Sequence, residues 1–322
     1  MAHPAPAALR DEVLAGLRAT PKSLPAKLLY DARGAQLFEA ITRLDAYYLT
    51  RAETEILDAR AGEIASLIGA GRVILEYGSG ETTKARRILE QFPSDARPAA
   101  FVPIDTSREQ LHRAAARLAS EFADVPVIPA EADYTAPFEI PALPPGAPAS
   151  GHVALFLGST IGNFHEPEAV ELLRRIARQC GEGGALLLGA DLRKDPLVLH
   201  EAYNDPAGVT ADFNRNLLVR MNREFDAMFD ADAFRHYACY NPTAGRIEMH
   251  LVSLRSQCIR VGSEWIWFEN GESIWTESSY KYTWSELRRI TASAGFTVER
   301  RWTDARSWFA LLYLAAHPDG GP

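Results

Sequence analysis

Three acidic residues stand where short apolar runs end: Glu76 after Val73-Ile74-Leu75, Asp105 after Phe101-Val102-Pro103-Ile104, and Asp133 within Ala130-Glu131-Ala132-Asp133-Tyr134. An ionised carboxylate is acceptor-only with two oxygens, so one that follows the second run suits the paired hydroxyls of a ribose, and Asp133 can accept from an adenine amino group. Taken singly, each reads more readily as a helix cap or a loop carboxylate. Three at successive run ends are harder to dismiss. Just after Glu76, Gly78-Ser79-Gly80 lets the backbone turn sharply and approach a ligand without a Cβ in the way, and Lys84 opens an amphipathic stretch. A later apolar run, His152 to Leu157, ends in Gly158-Ser159-Thr160-Ile161-Gly162-Asn163-Phe164. Asn163 can accept a hydrogen bond from an amine through its carbonyl oxygen while the nitrogen lone pair stays free to attack. As a turn residue it also has an ordinary use. Tyr30, Tyr47, Tyr48, Tyr203, Glu277 and Ser279 are further candidates, but spacing alone assigns them nothing. Tyrosines before a helix usually pack, and Thr276-Glu277-Ser278-Ser279 has the polarity of a wet strand face.

The elements that must position these groups follow from periodicity. Strands are expected at 72–77, 99–104, 125–129, 152–157 and 184–189, with helices between several of them, one of them opened by a capping box at Ser107-Arg108-Glu109-Gln110. Alternating apolar strands and helices predict a parallel sheet covered on both faces, which binds ligands at the carboxyl ends of its strands. Helices precede the first strand: 8–18, a short one through Leu37, Phe38 and Ile41, and one opened by a capping box at Thr50-Arg51-Ala52-Glu53. After Asp191 the alternation stops. Residues 197–225 read as helices with Thr210 as an N-cap, and 236–282 read as antiparallel strands forming an insertion. A capping box at Thr283-Trp284-Ser285-Glu286 and a strand pair over 297–302 and 308–316 close the chain. The expected division is a sheet domain of 61–196 with 283–322, and an α+β substrate domain of 8–60 with 197–282.

With 322 residues, 47% hydrophobic, the chain can bury a sizeable core, and its net charge of −8 argues against a nucleic-acid partner. Cys180, Cys239 and Cys258 show neither CxxC nor His/Cys ligand spacing, which predicts no metal site and suits a reducing compartment. Met1-Ala2-His3-Pro4-Ala5-Pro6 lacks a signal-peptide pattern and no run is long enough to span a bilayer, so a cytoplasmic protein with no membrane partner is expected. A monomer is expected too, although nothing in the sequence fixes the oligomeric state.

The strand-end acids fit either NAD or S-adenosylmethionine. A dinucleotide fingerprint requires a third glycine where Thr83 stands, which counts against NAD. The Glu-x-Gly-x-Gly loop resembles the first motif of class I methyltransferases, as does the antiparallel pair ending a parallel sheet. Beyond the fold, several stretches resemble the L-histidine Nα-methyltransferase family of ergothioneine biosynthesis. They are Lys27 to Asp31, Ile41 to Leu44, Tyr47 to Glu53, Gly158 to Asn163, Ala207 to Thr210 with Phe213-Asn214, Arg246 to Met249, and Thr276 to Ser279. The resemblance implies a Rossmann-like class I fold with a second α+β domain, S-adenosylmethionine as methyl donor without a metal, and trimethylation of the α-amine of L-histidine to hercynine. It also implies cofactor contacts from Gly78, Ser79, Gly80, Lys84, Asp105, Asp133 and Tyr134, the last standing where the family has phenylalanine. It assigns the amino acid's carboxylate and amine to Tyr47, Asn163 and Tyr203, with Tyr30 beside the amine, and the imidazole to Glu277 and Ser279 beside Met249. Methylation of another amino acid such as tryptophan, or a catalytically idle binding module, remain the alternatives.

Overall fold

The computed structural model describes residues 7–143 and 151–318. In chain order the elements are α1 (Ala7–Arg18), β1 (Lys22–Ser23), α2 (Ala32–Thr42), α3 (Tyr48–Ile68), β2 (Val73–Tyr77), α4 (Thr83–Leu89), β3 (Ala100–Asp105), α5 (Arg108–Glu121) and β4 (Ala130–Glu131). There follow β5 (His152–Phe156), α6 (Glu166–Cys180), β6 (Ala185–Asp191), α7 (Pro196–Tyr203) and α8 (Val209–Phe225). The strands β7 (Phe234–Asn241), β8 (Arg246–Ser253), β9 (Gln257–Val261), β10 (Glu264–Phe268) and β11 (Ser273–Tyr280) come next, and α9 (Trp284–Ser293), β12 (Phe296–Thr303) and β13 (Phe309–Ala316) end the chain.

Two compact units divide these elements: Met1–Tyr48 with Lys194–Tyr280, and Leu49–Arg193 with Lys281–Pro322. The helix that a boundary at 60/61 would cut is continuous, so from Leu49 onward α3 belongs with the large sheet.

The sheet unit carries seven strands in the order β12-β13-β6-β5-β2-β3-β4, in which β6, β5, β2, β3 and β4 run parallel and β13 lies antiparallel between β6 and β12. Residues of β2 and β6 are buried throughout, as expected of strands covered on both faces. Helices α3 and α4 pack one face of the core through Ile56, Ile64, Ala85 and Ile88. The strand expected at 125–129 is displaced: Pro126 and Pro129 lack the N–H a ladder needs, Val127 makes only an isolated bridge to Phe101, and the paired strand is the two-residue β4.

In the other unit, β1-β11-β8-β7 form one sheet and β9-β10 a separate hairpin. Lys22 and Ser23 pair in parallel with Ile274 and Trp275, which ties the N-terminal helices to the 197–280 segment. Alternation in β8 is complete: Ile247, Met249 and Leu251 are buried on the inner face, while Arg246, Glu248 and His250 alternate with them.

Helix starts differ in instructive ways. Thr283 and Glu286 form the expected reciprocal capping box. Thr50 does not cap, because α3 already begins at Tyr48 and Glu53 is occupied elsewhere. Ser107 occupies the cap position of α5 without using its side chain. Asp205, rather than Thr210, accepts from the first turn of α8, taking Val209 N–H at 2.9 Å and Thr210 N–H at 2.8 Å.

Candidate active site

In the sheet unit the glycine loop follows β2 directly. Gly78 and Ser79 N–H both donate to Ile104 O, at 2.9 and 3.2 Å, which folds the loop over the end of β3. Gly80 N–H then donates to Asp105 Oδ2 at 3.1 Å, and Ser107 N–H to Oδ1 at 3.0 Å. These two bonds aim the carboxylate at the loop and leave lone pairs for a diol. Both glycines hold left-handed backbone, φ +65° and +50°. A Cβ added at Gly80 would meet no protein atom within 4 Å, whereas one at Gly78 would reach the Tyr134 hydroxyl at 3.5 Å. Gly80 thus borders open space, and Tyr134 covers Gly78.

Tyr134 stands edge-on to Tyr77 and Phe156, with ring centroids 6.1 and 5.9 Å away, so its ring is held by an aromatic cluster. Neighbouring Asp133 is exposed and accepts from Thr135 N–H at 2.9 Å.

Beneath the loop lies a group of charges that the sequence does not advertise. Glu53, fully buried on α3, accepts Gly158 N–H at 2.8 Å and pairs with Lys84 Nζ at 2.5 Å. One carboxylate therefore fixes the lysine of the glycine loop and the start of the 158–163 turn that carries Asn163. Gly189 on β6 leaves the room for it, since a Cβ there would sit 2.6 Å from Glu53 Oε1. Glu76 is 4% exposed, and its Oε2 has no hydrogen-bond partner. Burial, with Asp105 and Glu53 nearby and Lys84 opposing, pushes its carboxyl up to about 8. Ser79 Oγ is likewise buried without a partner. Two orphaned polar atoms, one at the end of β2 and one in the loop, beside an unobstructed glycine are what a bound polar ligand would complete.

The 158–163 turn is itself rigid. Ser159 adopts left-handed backbone at φ +61°, its Oγ accepts Asp191 N–H at 2.9 Å, and Tyr282 OH donates to Ile161 O at 3.2 Å. Asp191 is paired with Lys281 Nζ at 2.9 Å, both side chains fully buried. Asn163 ends this turn, half-buried.

In the other unit Tyr30, Tyr47, Tyr203, Met249, Glu277 and Ser279 come together. Tyr30 OH donates to Glu277 Oε1 at 3.1 Å, and the Tyr203 hydroxyl bonds Ser279 Oγ at 2.8 Å. Met249 lies directly opposite Glu277 across β8 and β11. The rings form a run of edge-on contacts: Tyr30 to Phe38 at 5.7 Å, Phe38 to Tyr47 at 6.2 Å, and Tyr47 to Tyr203 at 6.3 Å. A buried carboxylate and hydroxyl thus sit on an aromatic wall. Tyr48 points to another use, accepting from Lys194 Nζ at 2.7 Å with the ammonium 4.4 Å from its ring centroid.

Among the described residues one cluster has metal-ligand donor types, Cys239, Glu248 and His250. Glu248 is already held by Arg246 at 2.7 Å and Asn241 at 3.0 Å, and Glu248 and His250 alternate with the inner-facing residues of β8.

A parallel sheet whose strand ends carry a glycine turn and acidic side chains, closed by an antiparallel C-terminal pair, defines a class I S-adenosylmethionine-dependent methyltransferase. The finer assignment comes from comparison. The chain belongs to the histidine-specific, S-adenosylmethionine-dependent methyltransferase family, whose model matches residues 9–316. It is 41% identical over 310 residues to a histidine N-alpha-methyltransferase of Mycobacterium tuberculosis, covering 96% of this chain and 95% of that one. An ergothioneine biosynthesis protein 1 of Neurospora crassa is 32% identical over 88% of this chain, which spans 32% of that longer protein. A 4-dimethylallyltryptophan N-methyltransferase of Penicillium roqueforti is 28% identical, covering 91% of this chain and 89% of that one.

Proposed function

We propose that this chain transfers methyl groups from S-adenosylmethionine to the α-amine of L-histidine, three in succession, giving hercynine as the first step of ergothioneine biosynthesis. The observation that carries the choice of acceptor is the pair Glu277 and Ser279, each hydrogen-bonded to a tyrosine within an aromatic wall. An imidazole N–H can donate to such a carboxylate as Tyr30 does, whereas an apolar side chain would cover it and bring no donor.

Gly78, Ser79, Gly80, Lys84, Asp105, Asp133 and Tyr134 hold the methyl donor in this reading, with Asp105 on the ribose hydroxyls and Asp133 on the adenine amine. The orphaned Ser79 Oγ and the open space beside Gly80 support it. Bound there, S-adenosylmethionine supplies an electrophilic methyl group on a sulfonium. Asn163, Tyr47 and Tyr203 hold the acceptor's amine and carboxylate, and Asn163 leaves the nitrogen lone pair directed at the incoming carbon. Catalysis is then chiefly alignment. Each transfer also releases a proton. A phenol that donates to a carboxylate can take a proton from an ammonium as it passes its own on, so Tyr30 and Glu277 together form a route for it. One amide and several ring faces also accommodate a growing quaternary ammonium better than a cage of acceptors would.

No helix among the described residues is long and apolar enough to cross a membrane. The reading includes a monomer in the cytoplasm, a reducing compartment that three free cysteines suit. Light scattering coupled to gel filtration tests the first point.

The deciding experiment is mass spectrometry of L-histidine incubated with S-adenosylmethionine and the purified protein, with tryptophan and the other amino acids in parallel. Histidine-dependent gain of three methyl groups is expected. Methylation of tryptophan but not histidine would favour the second reading, which the similarity to the tryptophan-derivative enzyme supports. No product from any amino acid would favour an idle binding module.

A further inference from the structure

Glu277 and Ser279 face inward only because β11 carries an extra residue. Ile274 pairs with Leu251 and Trp275 with His250, yet Glu277 pairs with Met249, so Thr276 has no partner of its own. In an unbroken ladder Glu277 would fall opposite Glu248, and Ser279 opposite Arg246, on the face shared with His250. The bulge reverses that parity and sets both opposite the buried Met249 and Ile247.

The extra residue is pinned from α8. Thr276 Oγ1 donates to Asn214 Oδ1 at 2.7 Å and lies 3.1 Å from Met249 O. Asn214 is fully buried, and its Nδ2 serves His250 O and His236 Nδ1, both at 3.0 Å. His236 in turn donates through Nε2 to Tyr203 O at 2.9 Å. Burial keeps that imidazole below its ordinary protonation range, consistent with one nitrogen accepting and the other donating. A single amide thus holds the bulge beside Glu277 and, through His236, the backbone of the tyrosine that meets Ser279.

We propose that Asn214 and Thr276 are a positioning pair that sets acceptor specificity by holding the strand bulge which turns Glu277 and Ser279 inward. The inference rests on the histidine reading of this unit. Neither residue needs to touch the substrate.

The test compares Thr276→Val, which keeps the shape and loses the hydroxyl, with Thr276→Ser, which keeps the hydroxyl. The valine variant should raise KM for histidine about tenfold or more and narrow the preference for histidine over tryptophan, as expected for loss of one buried hydrogen bond that aims a charge. Its affinity for S-adenosylmethionine, measured by calorimetry, should stay within about twofold, and the serine variant should restore KM. In a Glu277→Ala background the same valine change should have no further effect on KM, because its action runs through Glu277. Unchanged histidine KM in Thr276→Val, no rescue by serine, or full additivity with Glu277→Ala would each overturn the inference. If Thr276→Val does not fold, Thr276→Ala takes its place, and loss of folding in both would make the pair structural and overturn it too. Wild-type protein inactive on histidine would instead overturn the functional reading on which the pair depends.

Discussion

Replacing Glu76 with glutamine should make the ligand-free protein more stable at alkaline pH, against the usual expectation for a change at a buried strand acid. Glu76 is 4% exposed, its Oε2 has no partner, and its carboxyl rises from 4.5 to about 8 through burial and the nearby Asp105 and Glu53 charges, with Lys84 only partly offsetting them. Between those two pH values the folded chain keeps a proton that the unfolded chain releases, so stability falls as pH rises through the window. At about 1.4 kcal/mol per pH unit, with the ends of the interval only partly titrated, about 4 kcal/mol is lost by pH 8.5 relative to pH 4.5. Glutamine has nearly the same shape and does not titrate. Urea unfolding of both proteins without ligand at pH 5, 6.5 and 8.5 reads out Glu76 with the charges coupled to it, because titrations remote from it cancel in the difference. Glutamine should gain on wild type by roughly 4 kcal/mol between the first and last pH. A difference that stays constant within about 0.5 kcal/mol, or that grows in favour of glutamate, would refute the reasoning.

Three further outcomes follow from the same geometry. Gly189→Ala sets a methyl group 2.6 Å from Glu53 Oε1 and should cost about 2 kcal/mol in denaturant unfolding, with a weaker affinity for S-adenosylmethionine because Lys84 loses its anchor. Gly80→Ala meets no protein atom, so its stability cost should be only the left-handed backbone, about 1 kcal/mol, while calorimetry should show a larger loss of cofactor binding; equal losses would deny the loop its proposed role. Glu277→Ala should lower kcat/KM for histidine at least about 100-fold and leave affinity for S-adenosylmethionine unchanged, and an unaltered amino-acid profile would remove Glu277 from recognition.

The strand, glycine turn and helix that open the large sheet were readable because their signals are local. An apolar run, an acid and two glycines occur within a few residues, and the ladder that forms there uses them as the sequence suggests. Where long-range contacts decide, the same local signals mislead. Thr50-Arg51-Ala52-Glu53 and Thr283-Trp284-Ser285-Glu286 share one pattern, yet only the second caps a helix. Glu53 instead serves Lys84 and the Gly158 amide, partners 31 and 105 positions away that no spacing rule anticipates. Proline at 126 and 129 outweighed the apolar character of 125–129. In β11 the alternating polarity of Thr276 to Ser279 predicts a wet face, and one unpaired residue reverses it. That reversal depends on Asn214, 62 residues earlier, so it became visible only once α8 and β11 were seen side by side.

The parallel pairing of β1 with β11 also governs how the chain must be made. Lys22 leaves the ribosome about 250 residues before Ile274, its partner, which at roughly 5–20 residues per second is an interval of tens of seconds. Throughout that time Val13, Leu17 and Leu28, each at most 1% exposed in the finished protein, have no completed core to enter. A ribosome-stalled chain ending before residue 274 should therefore leave this N-terminal segment open to protease, whereas the full-length chain should protect it.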